Sequence, residues 1–329
     1  MGYYINSTQA YHIREMNSLG WELTVSNCLY PDRSPCRSVL SKRVPYGWLL
    51  YEFLDENIPL KEVKSILEIG GGYGYLMQDF LKRNAGFRLT MADISPFLLG
   101  KQKKNLADFP VTFLLSDVRD LSESLLKNHD LAILNENVGD FPTAVNLTAS
   151  AVLVDDDPAC GPEMMQIRTL FKRYAFPLPP TEETFNFNLG AVLATEKLCR
   201  AKIPYIFISE HSCEASVPDD LRDLIPVSAT GNPQRIPLKG HDEYTIRFSD
   251  LEIVAGHLGY YVQRGPLADF VQPDFNDSLK WLLKRRHSSK DEHEILRQFI
   301  EDLYQYEYLL LVGQADQWER TATIPRMGD

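Results

Sequence analysis

The sequence predicts an α/β fold built on a doubly wound parallel sheet. Two observations carry that expectation. The first is the stretch Ser65-Ile66-Leu67-Glu68-Ile69-Gly70-Gly71-Gly72-Tyr73-Gly74-Tyr75-Leu76. It opens as a short apolar run and passes through glycine at alternate positions (Gly70, Gly72, Gly74). It continues with Leu76, Met77, Phe80 and Leu81 at the spacing of a helix that buries one face. Strand, glycine turn and helix begin a doubly wound sheet, and ligands bind where such strands end. Glycines there accept positive φ and let a ligand approach the backbone closely. The second observation is an acid at the end of each of three successive strand-like runs: Glu68, Asp93 and Asp117.

The remaining elements follow in order. Trp48 to Leu54 reads as a helix within an aromatic leader that also holds Tyr11, Trp21, Tyr30, Tyr46, Tyr51 and Phe53. Gly86 sits where a left-handed helix C-cap belongs, after Lys82 and Arg83. Phe87 to Asp93 is the second strand and Val111 to Ser116 the third, running into Asp117-Val118-Arg119-Asp120. Leu131 to Leu134 is the fourth, leading to Asn135-Glu136-Asn137-Val138-Gly139-Asp140-Phe141-Pro142. Residues 143–187 read as an insertion beside the site, a lid or an acceptor-binding subdomain, with a helix around Glu163 to Tyr174. Its run Asp155-Asp156-Asp157 lacks spaced partners and reads as a solvated turn, so no metal site is expected. Leu189 to Arg200 is helical, Ile203 to Ser209 is the fifth strand, and Glu210-His211 follows. Glu243 to Phe248 alternates like a strand, Ser249 to Glu252 is a capping box, and Tyr260 to Arg264 is read as the last strand. Residues 276–313 look helical, with Leu309 to Val312 as a candidate closing strand, and the final residues are polar.

Composition narrows the function. A net charge of −11 and a pI near 5.2 disfavour a dedicated nucleic-acid binder, which shows a basic face. The five cysteines are scattered without a C-x-x-C pair, as in a reduced cytoplasmic protein. No run approaches the ~20 apolar residues of a membrane span. Asn6 stands where a myristoylation signal wants Ser or Thr. A dinucleotide fingerprint requires G-x-G-x-x-G, but here the third glycine is one position early and Tyr75 stands in its place.

The Glu68-x-Gly70-x-Gly72-x-Gly74 run closely resembles the first motif of class I S-adenosylmethionine-dependent methyltransferases, and Asp93-Ile94-Ser95-Pro96 resembles their second. The resemblance implies a Rossmann-like, seven-stranded sheet with an antiparallel final strand. It divides the chain into a helical N-terminal cover (1–60), a cofactor-binding domain (61–270, with the insertion at about 143–187) and a helical C-terminal extension (271–329). It implies S-adenosyl-L-methionine as cofactor and S-adenosyl-L-homocysteine as product. Gly70, Gly72 and Gly74 would lie against the cofactor, and Glu68 would orient the turn and the methionine ammonium. Asp93 with Ile94 would hold the ribose, Asp117 with Val118 the adenine, and Asn135 would lie near the methionine end. More loosely, Asn135, Glu136 and Pro142 resemble a segment of the MidA-type protein-arginine methyltransferases that assist complex I assembly, although Asp140 falls one position later than that pattern expects.

The expected activity is methyl transfer to an O or N acceptor, either a small molecule or a protein side chain, arginine among them. Glu136 and then Asp140 are the candidate bases, because a carboxylate also pairs well with a guanidinium. His211 or a tyrosine-rich pocket would suit a hydroxyl acceptor. Two other classes stay open: a methyltransferase-like scaffold that binds cofactor without turnover, and a nicotinamide-dependent oxidoreductase.

Overall fold

A computed structural model describes residues 2–18, 24–154, 161–179, 183–285 and 290–313. Trp21, the Asp155–Asp157 run and the polar residues after 313 lie outside the described residues. Seven strands form the central sheet: β1 (Ser65–Ile69), β2 (Arg88–Asp93), β3 (Val111–Leu115), β4 (Leu131–Asn135), β5 (Tyr205–His211), β6 (Tyr260–Pro266) and β7 (Tyr306–Gly313). Their order across the sheet is β3-β2-β1-β4-β5-β7-β6. β7 runs antiparallel to both of its neighbours, and the other pairings are parallel.

All five residues of β1 are buried, as its unbroken apolar run requires of a strand covered on both faces. Successive side chains alternate between two cores. Ile66, Leu131, Ile133, Phe207 and Leu310 meet the helices Tyr46–Asn57, Tyr75–Arg83 and Asp291–Gln305 on one face. Leu67, Ala132, Leu134, Ile206 and Leu309 meet Pro162–Tyr174, Leu189–Arg200 and Phe248–His257 on the other. Asp130 locks the register at the base of the sheet. Its carboxylate accepts the Lys64 and Ser65 backbone N–H groups at 2.9 Å each and the Ser65 hydroxyl at 2.8 Å, tying the start of β1 to the start of β4.

Several elements differ from the sequence reading. Tyr260–Pro266 is the sheet edge, not its last strand in sequence. The final strand is Tyr306–Gly313, which contains the Leu309–Val312 run expected as a closing strand and inserts between β5 and β6. The strand read at Glu243–Phe248 is a short arm, Asp242–Tyr244, paired with Arg235–Pro237 outside the main sheet. The helix read as starting from a Ser249 cap begins at Phe248. The Ser249 N–H and hydroxyl instead donate to Glu214 at 2.9 and 2.6 Å, so a carboxylate from another segment satisfies the helix start. The helix before Gly86 stops at Arg83 in an extended Asn84, whose side chain accepts the Gly86 N–H at 2.9 Å.

The inserted segment is not a separate body. Thr143–Thr148 pairs antiparallel with Thr184–Phe187 on one side and with the N-terminal strand Tyr4–Asn6 on the other. This small sheet fixes the start of the chain beside the loop that follows β4. Among the described residues no helix is long and apolar enough to cross a membrane.

Candidate functional site

The sheet order reverses between β1 and β4, and a cleft of about 430 Å³ opens beyond the carboxyl ends of these strands. That is the place and the size expected of a small-molecule site. The glycine turn forms its floor. Gly70, Gly72 and Gly74 have φ of +65°, +51° and +81°, which explains the alternation seen in the sequence. Gly70 and Gly72 line the cleft. Gly74 does not; it starts the next helix, and a Cβ there would lie 3.3 Å from Leu106, so this glycine serves close packing.

Glu68 and Asp93 close one wall. Glu68 is 1 % exposed, and burial together with the nearby Asp93 charge pushes its pKa up to about 8. Burial likewise raises Asp93 to about 6, although its oxygens accept the Ser95 N–H and the Gln102 amide at 2.8 Å each. Glu68 Oε2 and Asn137 Oδ1 are buried beside the turn without a hydrogen-bond donor among the described residues. Two orphaned acceptors, one on a carboxylate that lacks a cation, are the complement of an ammonium donor. The site therefore fits a nucleoside ligand that carries positive charge at its other end.

Asp117 and Val118 also line the cleft, together with Ile94. Burial opposes ionisation of Asp117, but the Arg119 guanidinium, bonded to both oxygens at 3.0 and 2.6 Å, outweighs it and holds the carboxylate below its usual range. Asn135 borders the far end. Its Oδ1 accepts the Tyr46 hydroxyl at 2.7 Å and the Ser209 hydroxyl at 2.9 Å, and its amide donates to Glu136 at 3.1 Å.

The two expected bases occupy different settings. Glu136 adopts φ of +53°, which turns its side chain toward the helix Val25–Leu29. There it accepts the Val25 and Ser26 N–H groups at 2.8 and 3.0 Å, so both oxygens cap that helix. Burial still raises its pKa. Asp140 is bonded to His12 Nε2 at 2.8 Å. Burial would lower the His12 pKa, but the Asp140 partner raises it overall.

Several lining residues carried no site role in the sequence reading. His12, Met16 and Thr8 arrive from the N-terminal cover, and Tyr30 and Tyr46 from the aromatic leader. Glu210 and Tyr306 come from β5 and β7. Glu210 is buried and its pKa lies well above the carboxylate range because of desolvation and the charge of Glu243. His211 packs on Tyr306 with ring centres 3.8 Å apart, and its nitrogens lie 3.8 Å from Glu210 and from Asp302.

No protein-family model matches the chain. A 72-residue stretch is 38% identical to a malonyl-[acyl-carrier protein] O-methyltransferase of Anoxybacillus flavithermus, covering 22% of this chain and 27% of that protein. A 76-residue stretch is 34% identical to malonyl-[acyl-carrier protein] O-methyltransferase 1 of Ilyobacter polytropus, covering 23% and 28%. The chain thus spans about a quarter of the length of these curated relatives. Among solved structures, an uncharacterized protein from Burkholderia thailandensis superposes with a TM-score of 0.50 over 88% of this chain and 85% of that one, at 12% identity, a likeness of fold alone. The sheet order 3-2-1-4-5-7-6 and the glycine turn flanked by Glu68 and Asp93 are those expected of a Rossmann-like methyltransferase sheet, and a stretch of just over a fifth of the chain is similar to curated O-methyltransferases.

Proposed function

We propose that the protein is an S-adenosylmethionine-dependent methyltransferase whose acceptor is a basic nitrogen, a guanidinium or an amine. The observation that carries the cofactor assignment is the pair of buried, cation-starved acids Glu68 and Asp93 against a glycine turn. S-adenosylmethionine supplies a methyl already activated on a sulfonium, so that the bond to sulfur breaks, its electron pair staying on sulfur, as the bond to the acceptor forms. The residues here bind and orient. Glu68 and Asn137 present acceptors to an ammonium, Asp93 to ribose hydroxyls, and Asp117 with the Val118 N–H to an adenine edge. Alignment and exclusion of water of this kind are worth on the order of 7–11 kcal/mol.

The acceptor end supports the second half of the reading. Asp140, Glu243 and Asp302 line the cleft, which favours a positively charged partner. A malonyl carboxylate, the acceptor named for the curated relatives, would meet like charges there. The likeness of Asn135, Glu136 and Pro142 to MidA-type arginine methyltransferases agrees with a guanidinium. The proton of the acceptor leaves through His211 rather than Glu136, whose oxygens cap a helix. The His211 ring nitrogens lie 3.8 Å from Glu210 and 3.8 Å from Asp302, acceptors on its two sides. The same histidine serves a hydroxyl acceptor, the second reading.

The test is calorimetry with S-adenosylhomocysteine beside NADH, followed by transfer of labelled methyl to arginine-containing peptides, small amines and phenols. Binding of S-adenosylhomocysteine alone and labelling of a nitrogen acceptor are expected. Binding of NADH instead, or of neither ligand, overturns the cofactor assignment. Labelling confined to hydroxyl acceptors overturns the nitrogen one, and cofactor binding without labelling of any acceptor favours a scaffold.

A further inference from the structure

One cluster at the rim of the cleft takes no part in holding the cofactor or in removing the acceptor's proton. His12, Asp140 and His241 place their donor atoms within 4.8 Å of one another. His12 Nε2 lies 2.8 Å and His241 Nε2 3.5 Å from Asp140 Oδ1, and Glu243 Oε1 is 3.3 Å from His241 Nε2. At bond lengths of about 2.0–2.2 Å, ligands on adjacent coordination positions stand roughly 3.0–3.5 Å apart. The Asp140–His241 and His241–Glu243 separations fall in that range, and His12 stands slightly closer to Asp140. We propose that it binds one divalent transition-metal ion, held by His12, Asp140 and His241 with Glu243 as a fourth ligand, and that the ion fastens the N-terminal cover over the cleft.

The scaffold around the cluster supports a built site. The three ligands come from three separate segments: the helix Gln9–Arg14, the loop after β4, and the turn before Asp242–Tyr244. Cross-links hold these segments in place. The Thr8 hydroxyl donates to the Asp140 carbonyl at 2.8 Å, and the Asn6 amide donates to the Asp242 carbonyl at 2.8 Å. Tyr11 stacks on the His241 ring at 4.2 Å, and Gly240 at φ of +98° lets the turn pass close beneath that tyrosine. The His12 and His241 side chains are only 10% and 3% exposed. Two imidazoles with carboxylates and no thiolate are the donor set of zinc, manganese, iron or cobalt(II), whereas magnesium and calcium take oxygen ligands. His12, Asp140 and Glu243 also line the cleft, so the ion would sit at its rim.

The site does not depend on the methyltransferase reading, and cofactor binding is measured separately. The full chain, freed of metal with a chelator, is titrated with Zn²⁺, Mn²⁺, Co²⁺ and Mg²⁺. One equivalent of Zn²⁺ or Co²⁺ is expected to bind, Co²⁺ with a visible d–d absorption. Affinity should fall at least tenfold in His241→Gln and in Asp140→Asn. Zn²⁺ should also slow amide exchange over Tyr4–Arg14 in the wild type and not in His241→Gln. His241 does not line the cleft, so retained S-adenosylhomocysteine binding by His241→Gln shows that this variant is folded. Absence of saturable binding of the transition ions, Mg²⁺ binding as tight as Zn²⁺, or transition-ion affinity unchanged in both variants overturns the proposal.

Discussion

Glu68 gives the most direct quantitative test of the cofactor cleft. Its pKa of about 8 in the unliganded protein makes it roughly 90% protonated at pH 7. A cation in hydrogen-bond contact is worth about 4 kcal/mol at an effective dielectric near 20, or ~3 pKa units. Binding of S-adenosylhomocysteine should therefore bring Glu68 to about 5 and release roughly 0.9 proton at pH 7. Asp93, at about 6, adds only ~0.1 there. Calorimetry in buffers of different ionisation enthalpy reads this number as a slope. Release should fall toward zero by about pH 9, and affinity should rise close to tenfold per pH unit up to about pH 8 and then level. Glu68→Gln keeps the shape and a neutral side chain, and should abolish most of the release. The same shift bears on stability. The folded pKa of this acid lies above its unfolded value, so its contribution is fully present below about pH 4.5. It is lost as pH rises through about 8. In the absence of ligand, Glu68→Gln should be the more stable protein at pH 8 and above, by thermal melts. A release indistinguishable from zero at pH 7, or one unchanged by Glu68→Gln, would refute the assignment of Glu68 to a cationic group.

Three further predictions are independent of that one. Gly70→Ala places a Cβ against the Asn137 amide at a φ of +65°, and should cost about 1–3 kcal/mol in urea unfolding while weakening S-adenosylhomocysteine binding more than tenfold. His211→Gln should lower kcat by roughly 10²–10⁴ with KM little changed once an acceptor is known, and should leave cofactor binding intact. Arg264 bonds Glu307 at 3.0 and 2.6 Å, Glu252 at 2.9 Å and Glu214 at 3.1 Å, so Arg264→Ala leaves Glu307 and Glu252 without their cation and Glu214 with Arg247 alone. A loss of about 3–5 kcal/mol in chemical denaturation is expected, with partial recovery when Glu307→Gln is added.

The half of the sheet that holds the cofactor cleft was legible because its signals are local. Each of β1 and β2 is a short, largely apolar run with an acid at or next to its end, and the alternating glycines of the first turn all carry the positive φ that requires them. The other half was obscured by non-local pairing. β7 follows directly from the helix Asp291–Gln305, with Tyr306 as its extended C-cap and no turn residue between, and its partners precede it by many residues. The Ser249–Glu252 pattern misled because Glu214 supplies the helix-start acceptor across space. At the acceptor end, Glu136 carries the right chemistry for a base. Its positive φ and the two N–H donors of Val25 and Ser26 were invisible in the sequence. His12 and His241 stand 229 positions apart, so no spacing rule connects them.

The late insertion of β7 also sets a timetable for synthesis. His211 closes β5, yet the partner that covers its open edge begins at Tyr306, directly opposite His211 in the register. Roughly 95 residues must be made in between, about 5–20 s at ordinary translation rates. For that interval β5 is an exposed, apolar edge strand of the kind that invites pairing with other chains. His211 also lacks the aromatic ring on which it rests. A nascent chain stopped before β7 would thus carry the whole glycine turn and every acid of the cofactor cleft, while remaining open to aggregation and without an ordered acceptor end.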